Sequence, residues 1–265
     1  MTATRSTLKR TASVGVAAAL TIAMLSAPVA QARPFEEIRT RGELSVCANP
    51  NALPYASNRP ELPGFQIEIA RAIAQQLGLR LQVEWIVPRM RAATVDCDML
   101  MDTIARSEIQ NPAIKLSASY QTGGVALAFA PGQPTVARYR DLHPGIRVGV
   151  IMNSLASLIV SKTGARMVPF GFEDDMLEAV GKGEVGAAAV SSASIGYYNL
   201  TNPTRRVTLV HAEDSEPELK WTVGVGLRRA DAPLVEAVNA AVAALIADGT
   251  IARIYAKYGV EHRRP

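Results

Sequence analysis

Histidine, cysteine and aromatic residues are all scarce in this 265-residue chain, with three His, two Cys and 5% Phe, Trp and Tyr. The histidines, His143, His211 and His262, have ligand spacing neither to a cysteine nor to one another, so no metal site is expected. No Ser-His-Asp order and no phosphate-cradling loop occurs, and Gly123-Gly124 alone is a weak signal. The absences argue against an enzyme and against a bound cofactor. Net charge is missing too. Of the 28 Lys+Arg and 24 Asp+Glu, Arg5, Lys9 and Arg10 belong to an N-terminal leader that holds no acid, which leaves 25 against 24. A balance so even gives no support to a nucleic-acid partner.

One apolar run stands out, "SVGVAAALTIAMLSAPVA", behind those three basic residues. Ser26 and Pro28 interrupt it, and Ala30-Gln31-Ala32 supplies small residues at the spacing a signal peptidase reads. Residues 1–32 are therefore expected to be an export signal cleaved after about Ala32, with the 233 residues that follow periplasmic and not inserted in a membrane. No cysteine stands at the cleavage site to carry a lipid. Cys47 and Cys97 both lie in the exported part, where an oxidising compartment and an even count favour a disulfide; two buried thiols are the alternative.

Strand and helix patterns alternate along the mature chain. Strands are expected at 43–49, 79–86, 97–103, 123–130, 146–151, 165–170, 185–190, 205–210 and 221–227. Ala70, Ile73, Ala74 and Leu77 form a helical stripe, as do Leu234, Val238, Ala241 and Leu245 before Asp248-Gly249 breaks the pattern. "MNSLASLIVSKTG" starts a helix with Asn153 or Ser154 in capping position, and "EDDMLEAVGKGE" opens another on three acids that suit the helix dipole. Such alternation implies an α/β fold of two lobes, each a mainly parallel sheet flanked by helices. Breaker-rich crossings near 131–136 and 214–220 place residues 33–132 and 221–265 in lobe 1, with 133–220 inserted as lobe 2. Ligands in such folds settle beyond the strand ends, here between the lobes.

The order of these segments resembles the periplasmic solute-binding proteins of family 3, the polar amino-acid type, with a type II binding-protein fold. "VGVGLRRADAPLVEAVNAAVAALIADGTIARIYAKYG" is similar to that family's closing strand, long helix, Asp-Gly-Thr and Lys-Tyr-Gly. "GFQIEIARAIAQQLGLRLQVEW" resembles its first helix, and "VGVIMNSLASLIV" the start of its second lobe. "VCANPNALPYASN" and the Cys-Asp pair at 97–98 resemble a side branch encoded beside pyrroloquinoline-quinone (PQQ) alcohol dehydrogenases, the MoxJ and XoxJ proteins. "DTIARSEIQNPAIKLSASY" is closer to the XoxJ type, which accompanies lanthanide-dependent methanol dehydrogenase.

That resemblance implies where a ligand would lie and what has changed there. An arginine about ten residues before Tyr120 would grip an amino acid's carboxylate with a bidentate fork, but Gln110 stands at that count. The acid that would meet the ammonium is Ser191, and the glycine before the second-lobe helix is Asn153, followed by Ser154. Arg106 and Lys115 are alternative anchors if the register differs. The expected cleft residues are Asn49, Asn51, Tyr55, Asp102, Ser107, Gln110, Tyr120, Asn153, Ser154, Ser191 and Tyr197. Losing both charged contacts, at ~1.5–3 kcal/mol each, disfavours an ordinary amino acid. The expected function is an accessory factor for a PQQ-dependent, lanthanide-type alcohol dehydrogenase, acting in its maturation or activation through the cleft. The alternative is the substrate-binding component of an ABC transporter for a small neutral or polar solute. The fold also includes dehydratases of cyclohexadienyl acids. Asp102 and Glu108 are the available acids for such work, but an acid at a strand end is more often capping or solvated.

Overall fold

The structure, a computed structural model, describes residues 34–87, 95, 97–105 and 113–265, together with Thr2. The elements in chain order are α1 (Phe35–Arg41), β1 (Glu43–Ala48), β2 (Asn51–Ala52), β3 (Ala56–Ser57), α2 (Phe65–Gln76), β4 (Arg80–Trp85), β5 (Met99–Ile104), β6 (Ile114–Leu116) and β7 (Gln121–Phe129). They continue as β8 (Arg147–Ile151), α3 (Leu155–Ser161), β9 (Arg166–Phe170), α4 (Glu173–Gly181), β10 (Ala187–Ser191), α5 (Ser192–Thr201), β11 (Thr208–Val210), β12 (Lys220–Arg228), α6 (Ala232–Ala247) and α7 (Thr250–Lys257). Among the described residues no single helix is long and apolar enough to cross a membrane.

Each lobe is built on three parallel strands, β4-β1-β5 in the first and β10-β8-β9 in the second. Two antiparallel strands, β12 and β7, join these trios into one continuous path. Strand β7 pairs with β12 from Gln121 to Gly124 and with β10 from Val125 to Phe129. The chain thus changes lobe inside β7, upstream of the breaker-rich segment expected to carry the crossing. Leu127 and Phe129 are fully buried in the second lobe's core beside Val148 and Val160. The return passage, through two short 3-10 turns at Ala212–Ser215 and Pro217–Leu219 into β12, falls where breakers were read.

The first-lobe core collects the stripes read from sequence. Ala70, Ile73 and Ala74 of α2 pack with Leu234, Val238, Ala241 and Leu245 of α6, all buried. Helix α2 begins earlier than its stripe, at Gly64, for a non-local reason. Gly64 has φ +89°, and a Cβ there would sit 2.3 Å from the Tyr55 carbonyl oxygen. Its N–H donates to the Tyr258 hydroxyl at 2.9 Å, so the helix start is pinned to the C-terminal segment. At the other end of the lobe, Asp231 caps α6 by accepting from the Leu234 N–H at 3.0 Å and accepts from the Phe35 N–H at 3.1 Å.

A disulfide joins Cys47 of β1 to Cys97, with the Cα atoms 5.6 Å apart, as the exported context favoured. Beside it Asp98, only 2% exposed, accepts from the Ser45 N–H, the Ser45 hydroxyl and the Arg41 guanidinium at 2.7–2.9 Å.

The C-terminal residues bind the hinge. Thr122 donates its N–H to the Arg263 carbonyl at 2.7 Å, the Arg263 N–H donates to Gln121 Oε1 at 2.9 Å, and Gln121 Nε2 donates to the Glu261 carbonyl at 2.9 Å. The Arg263 side chain then reaches Glu213 and Asp214 of the return passage.

Candidate ligand cleft

The strand ends of both lobes meet across one cleft. From lobe 1, the loop after β1 brings Tyr55, α2 brings Phe65 and Gln66, β5 brings Asp102 and Ile104, and α7 brings Tyr255. From lobe 2, the end of β10 brings Ser191, followed by Ser192 and Ala193 of α5, while the hinge adds Gln121, Gly123, Gly124 and Trp221. These residues enclose a hollow of about 270 Å³. A second hollow of about 260 Å³ shares Ile104 and Trp221 and is lined by Val125, Ser154, Leu155 and Glu173.

Direct contacts hold the lobes together. The Tyr55 hydroxyl donates to Ser191 Oγ at 2.9 Å across the cleft. Ala193 and Tyr197 of α5 pack on the first-lobe core. Gly196 of the same helix meets Gly259, so closely that a Cβ on Gly196 would lie 2.3 Å from the Gly259 carbonyl oxygen. Tyr55→Phe keeps the ring and removes the one hydroxyl bridge, and is expected to cost about 1 kcal/mol in urea unfolding. Unchanged stability would show that water replaces the bond at no cost.

Ser191 accepts from Tyr55 and donates to Glu173 Oε2 at 2.9 Å, while its N–H donates to Glu173 Oε1 at 3.0 Å. It also caps α5, with Oγ 2.8 Å from Ser194 Oγ. The neutral serine read from sequence therefore carries a carboxylate behind it, supplied by Glu173 at the start of α4. No sequence spacing linked the two, because they lie 18 positions apart on different elements.

On the opposite wall Asp102 stands at φ +50°, an uncommon conformation for a residue other than glycine. Its Oδ1 accepts from the Tyr120 hydroxyl at 2.6 Å and its Oδ2 from Gln66 Nε2 at 2.8 Å. Burial pushes its pKa above the ordinary carboxylate value, and the two hydrogen bonds oppose that rise. The Tyr55 hydroxyl is raised as well, mainly by burial and then by the negative charge of Glu173. Burial, followed by the charge of Asp102, raises the Tyr120 and Tyr255 hydroxyls well above their usual range. All three tyrosines are donors at neutral pH.

Tyr55, Asp102 and Ser191 thus come together as expected cleft residues. Tyr120 is fully buried and acts on the cleft only through Asp102. Ser154 lines the second hollow and is the true cap of α3, accepting from the Ser157 N–H at 3.1 Å. Asn153 is exposed with φ +61° and borders a separate open hollow beside Met152 and Leu158. Asn49 and Asn51 are exposed and bond to one another, the Asn51 N–H donating to Asn49 Oδ1. Tyr197 belongs to the lobe contact rather than the lining. Lys115 sits exposed on β6, away from the lining, which removes it as a carboxylate anchor. Ser107, Gln110, Arg106 and Glu108 lie outside the described residues. Among the lining residues sequence reasoning missed are Gln66, Glu173, Phe65, Trp221 and Tyr255, each placed by tertiary approach. Among the described residues no group of three or more His, Cys, Asp and Glu gathers to hold a metal ion.

Residues 44–261 match the bacterial extracellular solute-binding proteins, family 3. The chain belongs to that family. As a solute-binding protein it is 24% identical over 251 residues to the histidine-binding periplasmic protein of Salmonella typhimurium, covering 90% of this chain and 94% of the relative. The fold is similar to the unliganded, open L-cystine solute receptor of Neisseria gonorrhoeae, with TM-score 0.72, 18% identity, and 87% and 98% of the two chains covered. It is also similar to the periplasmic binding protein XoxJ from Methylobacterium extorquens AM1, with TM-score 0.68, 17% identity, and 84% and 100% covered.

Proposed function

We propose that this chain is an exported periplasmic binding protein whose cleft captures a small polar solute other than a free amino acid, as the substrate-binding component of an ABC transporter. The supporting observation is the small size of the cleft. Its hollows of about 260 and 270 Å³ lie just below the ~300–1,000 Å³ usual for ligand pockets. They are too small for a partner helix, which is ~10–12 Å across with its side chains. Binding needs no catalytic group, and the site offers hydroxyls and carboxylates already engaged with one another.

Amino-acid recognition fits poorly. By count from Tyr120, Gln110 stands where the family resemblance expects an arginine, and both oxygens of Glu173 already accept hydrogen bonds from Ser191. A thermal-shift panel of small polar metabolites and the twenty amino acids tests the reading. A true solute at 100 times its Kd adds ~2.7 kcal/mol of stability. Stabilisation by an ordinary amino acid, or by nothing in a broad panel, would count against it.

A second reading makes the protein an accessory factor of a PQQ-dependent, lanthanide-type alcohol dehydrogenase. One observation favours it: the Cys47–Cys97 bridge ties together the two segments, "VCANPNALPYASN" and the Cys-Asp pair, that carry the resemblance to the quinoprotein-associated branch. The full-length likeness to XoxJ is in keeping with it. Retention of the apo-dehydrogenase on the immobilised protein is the expected result. No retention across a range of salt, metal and PQQ conditions would sink this reading.

A further inference from the structure

Among the described residues nothing pairs with the charge of Asp102. The carboxylate is partly buried and accepts two neutral hydrogen bonds, from Tyr120 and Gln66, yet it makes no ion pair among the described residues. Buried charges are normally paired, because desolvation of a lone carboxylate is expensive. Each of its oxygens has lone-pair capacity beyond the single bond it accepts. Across the cleft the other carboxylate, Glu173, adds negative potential, and both act on the Tyr55 hydroxyl. None of the described residues lining either hollow is a lysine, arginine or histidine.

Four aromatic residues share the lining with aliphatic and small polar ones. Tyr55, Phe65 and Tyr255 form a contiguous set, with ring centroids 5.0 Å apart for Tyr55–Phe65 and 4.8 Å for Phe65–Tyr255. Trp221 lines the same hollow. Aromatic faces around a carboxylate attract a cation through the ring quadrupole and through direct charge. An anion would meet two carboxylates with no described counter-charge, and a neutral solute would leave Asp102 without a counter-charge among the described residues.

We propose that the solute held in this cleft is a small organic cation, an alkylammonium or quaternary ammonium, with its charged head against Asp102 among Tyr55, Phe65, Trp221 and Tyr255. The assignment rests on the solute-binding reading above and names its ligand class. Calorimetric titration of the full mature chain with choline, ethanolamine, putrescine and tetramethylammonium, each beside its neutral carbon isostere and with acetate as the anion, provides the test. At least one cation binds tenfold or more tightly than its isostere. Asp102→Asn weakens that cation roughly ten- to a hundredfold, as expected for loss of a hydrogen bond to a charged group. Trp221→Leu, which leaves the carboxylate in place, weakens the quaternary cations more than ethanolamine, and it serves if the Asp102 variant fails to fold. Isosteres or acetate that bind as well as the cations overturn the cation assignment and leave a solute-binding protein standing. No binding by any of these probes overturns the assignment, and the broad metabolite panel then decides the solute-binding reading separately. Cation affinity unchanged in both variants places the cation outside this cleft and also overturns it.

Discussion

Replacing Cys47 and Cys97 with serine is expected to lower the unfolding free energy by about 4 kcal/mol. The figure follows from the 50-residue separation the bridge spans, through the loop entropy that cross-linking removes from the unfolded chain. The native state gives no reason for a compensating gain. Cys47 lies mid-strand, opposite Glu84 of β4 and Leu100 of β5, so its neighbours are held by the sheet whether or not the sulfur atoms are joined. Cys97 and Cys47 are 1% and 7% exposed, and serine at either site would place a hydroxyl among apolar atoms. With a urea slope of ~1–3 kcal/mol per molar, the midpoint should fall by more than about 1 M. Reduction of the wild type should reproduce most of that fall. A shift under half of this in both experiments would mean that the unfolded chain is already compact between the two positions.

The consequence reaches the cleft, because the bridge joins the two segments that end in its first-lobe wall. Tyr55 follows β1 and Asp102 ends the reach of β5 from Cys97. The serine variant should therefore bind any cleft ligand more weakly even where it remains folded.

What was legible in the sequence was whatever depends on local periodicity. The stripe of Leu234, Val238, Ala241 and Leu245 named the buried face of α6, since a helix shows its inner side at every third or fourth residue. The strands of both parallel trios were visible as short apolar runs. Helix α5 was not, because "SASIGYYNLT" has no single apolar side: Ile195 and Tyr198 face the second-lobe core while Ala193 and Tyr197 face the first. A helix packed between two lobes loses the one-sided pattern on which the reading relies. The change of lobe inside β7 was hidden for a related reason. A continuous apolar strand looks the same whichever sheet it joins, and only hydrogen-bond partners reveal that Gly124 pairs with Lys220 while Val125 pairs with Ser191.

The site was legible by position and misread by charge. Tyr55, Asp102 and Ser191 were each placed near the cleft, yet the loss of an acid at Ser191 was read as a loss of charge. Glu173, which looked like a helix-opening acid favoured by the dipole, turns back to accept from the Ser191 N–H and hydroxyl. A one-dimensional comparison scores the substituted position and cannot see a replacement arriving from another helix.

At the hinge, Arg263→Leu is expected to destabilise the protein by roughly 3 kcal/mol above neutral pH and by distinctly less in mild acid. Glu213 is fully buried under the hinge glycines, with a Cβ on Gly124 only 2.6 Å from its Cγ. Its Oε1 meets His211 Nδ1 at 2.7 Å and Arg263 at 3.2 Å, while its Oε2 has no hydrogen-bond partner among the described residues. Removing one partner of a buried ion pair costs ~3–5 kcal/mol when a charge is left behind. The lower end applies here because His211 can take over. Its pKa is raised, first by the hydrogen bond to Glu213 and against the effect of burial, while the charge of Arg263 holds it down. A histidine whose folded pKa is raised contributes stability that is fully present below its unfolded pKa of ~6.5 and is lost as pH rises through the folded value. In the wild type Arg263 keeps its charge throughout, so Glu213 has a cation at every pH. In the variant His211 is the remaining cation of that pair, and loss of the arginine charge raises its pKa further. The stability gap between the two proteins should therefore be small near pH 5 and widen on passing to pH 8.5, as read by urea unfolding at both. A gap that is constant, or larger in acid, would show that Arg263 acts through Asp214 and the C-terminal hydrogen bonds to β7 rather than through the buried carboxylate.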